Sequence, residues 1–127
     1  MEKSKTFRIG QKQFTAKFPN VGQIIDLDAM KQAMSGNRYG SMAASGLASA
    51  YYALDLIDAI SFYQVVCPEV GRYYDIRNYG ELEVDAIEDL MKAWKDEIQP
   101  WYIKTMNEIR GVSKQSMEDA DKSEGNS

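Results

Sequence analysis

The sequence predicts an α+β fold that is mostly α: an N-terminal β-hairpin packed on a bundle of three or four helices, with a disordered C-terminal tail. Residues 5–18, KTFRIGQKQFTAKF, alternate apolar and polar side chains, the period of half-buried strands. Three later stretches carry apolar residues at helical spacing, separated by Gly, Asn and Pro. Residues 112–127, VSKQSMEDADKSEGNS, are polar with little to bury. Residues 1–111 therefore read as a single helical domain with an N-terminal hairpin, and 112–127 as a polar disordered tail.

In the hairpin, Phe7 and Ile9 share one face of the first strand, and Phe14, Ala16 and Phe18 share one face of the second. Directly opposed residues of an antiparallel pair point to the same side. Two registers satisfy that rule. Pairing Ile9 with Phe14 leaves a four-residue loop, whereas pairing Phe7 with Phe14 leaves a two-residue Gly10-Gln11 turn. Either gives one apolar face that must pack on the helices, because a lone hairpin is marginal in water.

Pro19 ends the second strand, and Asn20 with Gln23 forms a capping-box pattern at the start of a helix carrying Ile24, Leu27, Met30 and Met34. Gly36-Asn37 is its stop. Residues 35–46, SGNRYGSMAASG, read as a loop, a first turn or a mobile flap. The next helix covers 47–66 and ends before Pro68, whose ring disfavours helical geometry at Cys67. Residues 69–82 read as irregular. A third helix starts near Glu81–Glu83, with Val84, Ile87, Met91, Trp94 and Ile98 in alternating steps of three and four. Pro100 either kinks it or opens a fourth helix carrying Trp101, Met106 and Ile109.

Composition narrows the chemistry. A chain of 127 residues suits one domain, and 44% hydrophobic with 27% charged residues is ordinary for a soluble globular protein. The net charge of −4 offers no general attraction for phosphates, so nucleic acid is not an expected partner. There is no histidine, the commonest acid/base and metal ligand near neutral pH. The one cysteine, Cys67, excludes an intramolecular disulfide, reads as a buried small hydrophobe and fits a reducing cytoplasm. MEKSKTFRIG lacks the apolar core of a signal peptide. No cofactor or metal is expected.

The 47–66 helix holds the candidate site. SGLASAYYALDLIDAISFYQVV is the most apolar stretch of the chain, yet Asp55 and Asp58 sit inside it. A membrane span is not expected, since each central Asp costs roughly 2.5–3.5 kcal/mol. The two carboxylates lie three apart on one helical face, the spacing of an acid/base pair or of two ligands to a hard cation. The plainer reading is a solvated edge: Leu47, Ala50, Leu54, Ile57, Ser61 and Val65 trace a buried face, with Asp55, Asp58 and Phe62 opposite. Tyr51, Tyr52, Phe62 and Tyr63 surround the aspartates, and aromatic rings beside a few charges suit a recognition surface. The alternative is that these rings pack under the hairpin or the third helix. The candidate partner-binding set is Tyr51, Tyr52, Asp55, Asp58, Phe62, Tyr63 and Trp94. No catalytic set emerges.

The layout resembles the tail assembly chaperones of long-tailed bacteriophages and related prophage proteins, over roughly residues 5–110. The likeness lies in element order: a hairpin (TFRIGQKQFTAKFP), a helix (VGQIIDLDAMKQAM), a small-residue joint, then DAISFYQVVCPEV running into a Pro68-Glu69 corner. It implies a non-enzymatic role in the cytoplasm of a bacterial host. Such chaperones bind the helical tape-measure protein, recruit tail-tube subunits and leave before the virion is complete. The polar tail would then suit the linker of a longer, frameshifted form. An apolar groove between the hairpin face, the 47–66 helix and the 84–98 helix would accept a partner helix, with the aspartates pairing to its Lys or Arg. The runner-up is a structural neck or tail subunit that stays in the virion and self-assembles.

Overall fold

A computed structural model describes residues 3–111. The tail expected at 112–127 lies outside the described residues. Strands β1 (Ser4–Ile9) and β2 (Lys12–Lys17) pair antiparallel, with Phe7 opposite Phe14 and Ile9 opposite Lys12. Of the two registers the alternation permits, this is the one with the Gly10-Gln11 turn. Gly10 has φ +62° and Gln11 does not adopt positive φ. That asymmetry places glycine where a tight hairpin turn needs a left-handed residue. The hairpin buries Phe7, Ile9, Phe14 and Ala16 on one face and leaves Thr6 and Thr15 hydrogen-bonded to each other at 3.0 Å on the other.

Helix α1 (Val21–Ser35) opens with the full capping box. The Asn20 side chain accepts from the Gln23 N–H at 2.9 Å, and the Gln23 side chain accepts from the Asn20 N–H at 3.0 Å. Gly36, at φ +61°, closes it; the Gly36 and Asn37 N–H groups donate to the carbonyls of Ala33 and Gln32. The small-residue joint then forms one short helix, α2 (Tyr39–Ala44). Helix α3 (Ala48–Val66) follows and ends, as expected, ahead of Pro68.

The stretch 69–82 is not irregular. It is helix α4 (Pro68–Tyr74) and a tight 3-10 turn (Ile76–Glu81), divided by Asp75 at φ +53°. Pro68 blocks helical geometry behind it but supplies the first position of the next helix, where its missing N–H costs nothing. One apolar anchor in each segment, Val70 and Ile76, is fully buried, too sparse a signal for periodicity to reveal.

Helix α5 (Val84–Ala93) runs through a π turn (Trp94–Ile98) directly into α6 (99–111). Pro100 therefore does not break the chain; it falls in the first turn of α6, one of the courses expected, with the π turn joining that helix to α5. Its ring would collide with the carbonyl four residues earlier in a regular α-helix, and it cannot donate a hydrogen bond. The wider turn just before it, in which the Gln99 N–H reaches back to the Trp94 carbonyl, relieves both constraints.

The architecture is thus an N-terminal hairpin on a mostly helical bundle of six helices, with α3 at its centre. Leu27 and Met34 of α1 flank α3 on one side, the hairpin face covers another, and Leu90, Ala93, Trp94, Ile98 and Trp101 close the third. The 84–98 stripe is shifted from its expected course: Leu90 and Ala93 join the core, Ile87 and Met91 are half-buried, and Val84 is exposed.

A candidate docking groove between α3 and α5

The seven candidate residues separate along α3. Tyr51 and Tyr52, in its first turn, are 49% and 61% exposed. Phe62 and Tyr63, three turns later, are completely enclosed, as is Trp94. These last three are corrected from surface contacts to core anchors. The expected polar edge opposite Leu54 and Ile57 does not persist through the helix, because the hairpin, the π turn and α6 cover the side that carries Phe62 and Tyr63, leaving Gln64 and Val65 half-buried. Phe62 packs against Trp94, Trp101 and Tyr102 with ring centres 5.3, 6.5 and 5.6 Å away. Tyr63 lies 6.3 Å from Phe7, and its hydroxyl donates to the Leu90 carbonyl at 2.5 Å. Burial pushes the Tyr63 phenol well above its usual range.

The two aspartates also differ from expectation. They do not form one solvated stripe or a carboxylate pair, and each already has a cation within the chain. Asp55 leans toward the π turn and pairs with Lys95 at 2.6 Å. Asp58 leans the other way, accepting from the Tyr39 hydroxyl at 2.6 Å and pairing with Lys31 at 3.4 Å. Burial, then the hydrogen bond to Asp58, raises the Tyr39 phenol, which therefore stays protonated as the donor. The Lys31 ammonium also lies 5.5 Å from the Tyr39 ring centre. Each aspartate thus fastens α3 to a different neighbour: Asp55 to the π turn, Asp58 to α1 and α2.

The groove expected between the hairpin face and the two helices is filled by the protein's own side chains. Phe7, Phe14 and Ala16 reach the core that a partner helix would have occupied. A smaller groove does open where the exposed first half of α3 meets α5. Tyr52 and Asp55 line one wall; Ile87, Glu88, Met91 and Lys95 line the other. Its floor is apolar and its rim carries both signs of charge, with Asp55 and Lys95 bridging one end. Ile87 and Met91 pack against the core on one side, and their half-exposure on the other is what makes the groove. That half-exposure is not readable from the spacing, which gives the shared direction of the two side chains and not how closely α3 approaches them.

Cys67 is buried, and burial pushes its thiol up to about 12, so it is no nucleophile near neutral pH. Among the described residues no group of three or more acids and cysteines is arranged to hold a metal, and no helix is long and apolar enough to cross a membrane. No protein-family model matches the chain, and comparison with curated proteins and with solved structures finds no match.

Proposed function

We propose that this protein is a non-enzymatic binding module whose α3–α5 groove holds one face of an amphipathic helix from another protein. The observation that supports it is the groove itself: Tyr52, Ile87 and Met91 form an apolar floor at the surface, with charges of both signs on the rim. An amphipathic helix places anchors at i, i+3 or i+4 and i+7 into such a floor, and its charged flanks meet the rim. Met91 adapts its shape to different anchors, and Tyr52 offers contact area at low entropic cost.

Within this reading, the resemblance in element order points to a tail assembly chaperone that binds the tape-measure protein and recruits tail-tube subunits in the bacterial cytoplasm. The second reading is a neck or tail subunit retained in the virion. The exposed Val84 and Leu47 favour neither.

The experiment is co-expression with the longest helix-rich protein encoded beside this gene, followed by a solubility assay and pull-down. Rescue of the long protein, reduced at least tenfold by Tyr52→Glu with Met91→Glu, supports the chaperone. Self-assembly alone, or presence in finished particles, supports the structural subunit. Rescue undiminished by the double variant removes the groove from the reading.

A further inference from the structure

The hairpin has two edges, and they are not equivalent. The Phe18 N–H donates to the Lys3 carbonyl at 2.7 Å, which sets the parity of the ladder. Lys5 with Ala16, Phe7 with Phe14 and Ile9 with Lys12 then exchange the inter-strand bonds. The residues between them, Thr6 and Arg8 on β1 and Gln13, Thr15 and Lys17 on β2, turn their backbone N–H and C=O outward.

On β1 that outward edge is occupied. β1 packs along α5 and the π turn, and the Arg8 N–H donates to the Glu97 carboxylate at 3.2 Å. On β2 it is open. Gln13, Thr15 and Lys17 are all exposed, and no hydrogen bond among the described residues reaches their N–H groups. An open strand edge is a template for another strand, and natural proteins usually cover, shorten or bulge it, or set charged side chains, Lys above all, along it. This one is regular over its whole length.

The charge around the edge selects its occupant. Residues 3–18 contain Lys3, Lys5, Arg8, Lys12 and Lys17 and no acid, in a chain whose net charge is −4. Lys12 and Lys17 bracket the open edge, and neither has an ion pair among the described residues. Beside it, Lys12, Phe14, Arg72 and Tyr73 line a shallow recess with one carboxylate, Glu69. The Lys12 ammonium lies 4.2 Å from the Tyr73 ring centre, which holds it at the recess mouth.

We propose that the β2 edge binds an extended, acidic segment of a partner protein as a third strand. The backbone of that segment pairs with Gln13, Thr15 and Lys17, its carboxylates meet Lys12 and Lys17, and an apolar side chain enters the recess over Phe14 and Tyr73. A second copy of this chain is the poorer occupant. The symmetrical antiparallel register that the outward groups of β2 allow sets Thr15 against Thr15 and Gln13 against Lys17, and it lays two acid-free hairpins side by side, so their lysines and arginines face no counter-charge. A nucleic acid would use the cations but not the row of backbone donors and acceptors. The proposal does not rest on the α3–α5 groove, with which this edge shares no residue.

The test is selection of random twelve-residue peptides displayed on yeast against the folded protein, followed by affinity measurement of the enriched peptides. Acidic peptides with alternating apolar positions are expected, with affinity falling as salt rises. Thr15→Pro removes one outward N–H without touching a backbone bond to β1, and it gives up only the exposed Thr6–Thr15 hydroxyl contact, so the hairpin persists while strand addition is blocked. It is expected to weaken binding at least tenfold, with circular dichroism unchanged. Lys12→Glu with Lys17→Glu keeps the backbone donors and is expected to weaken acidic peptides at least tenfold, which serves equally if Thr15→Pro impairs folding. The proposal is overturned by enrichment of peptides with no acidic bias, by no enrichment, or by affinity unchanged in the folded Thr15→Pro protein. Displacement of the peptides by a twenty-residue thymidylate strand at comparable concentration, reporting a phosphate-binding patch, also overturns it.

Discussion

The two halves of α3 contain similar residue types and serve different ends. The first half carries Tyr51, Tyr52, Asp55 and Asp58; the second carries Phe62 and Tyr63. In the first half the aromatic rings reach solvent, whereas in the second none does. The helix enters from the surface beside α2 and ends in a sleeve made by the hairpin, the π turn and α6. Burial along it therefore deepens from end to end as well as differing between faces. A helical stripe identifies which residues share a direction, but not how deep a given turn lies. The same helix can thus be an anchor at one end and a binding surface at the other.

Substitution at the buried end sharpens that contrast most. Phe62→Ala should lower unfolding free energy by about 3–5 kcal/mol, measured by urea denaturation, because four aromatic rings meet there and cannot all collapse into the space. Tyr52→Ala at the open end should change stability by no more than about 0.5 kcal/mol. Equal losses at the two positions would show that the first half of α3 is as enclosed as the second.

Alkaline pH tests the buried end a second way. The Cys67 thiol is raised from 9.0 to about 12 by burial, with a smaller contribution from Glu69. Between those values the unfolded chain has released the proton and the folded chain still holds it, so the unfolded state binds fewer protons and stability falls as pH rises. The slope from this group is at most about 1.4 kcal/mol per pH unit. Tyr63, raised in the same direction, adds to the fall above its ordinary value of 10.0. Cys67→Ala should remove the part of the decline that begins near pH 9, read from thermal midpoints across the series. A decline unchanged by that substitution would mean that the thiol is accessible in the fold.

Tyr63→Phe should cost about 1 kcal/mol, the usual net worth of one hydrogen bond, since the Leu90 carbonyl keeps its helical donor from the Trp94 N–H. The smallest effects belong to the two aspartates. Both ion pairs are partly exposed, so Asp55→Asn and Asp58→Asn should each cost less than about 1 kcal/mol. Asp58→Asn retains an acceptor for the Tyr39 hydroxyl, so the α2–α3 contact should survive it. A loss of several kcal/mol in either variant would place these carboxylates among the principal fasteners of the fold.

Much of the architecture was legible in local chemistry. The alternation of 5–18 specified a one-faced hairpin, Asn20 and Gln23 specified the start of α1, Gly36 its end, and Pro68 the end of α3. Each of these is a contact or a conformational limit between residues close in sequence, so no distant partner is needed to establish it. The short helix α4 and the turn after it escaped notice because their anchors, Val70 and Ile76, are too few to make a period. The π turn was hidden because Pro100 admits a kink, a break or a widened turn, and packing chooses among them. The candidate site was legible only in part. Tyr51 and Tyr52 were recognised as surface candidates and are exposed, but Phe62, Tyr63 and Trp94 were grouped with them and lie in the core. Ile87 and Met91 both pack against the core and line the groove, which spacing alone does not distinguish. Local chemistry alone gave the limits of the hairpin, α1 and α3 and which side chains share a direction. Tertiary packing chose which of those directions is covered, because burial depends on where distant segments come to rest against a face that periodicity alone leaves unpartnered.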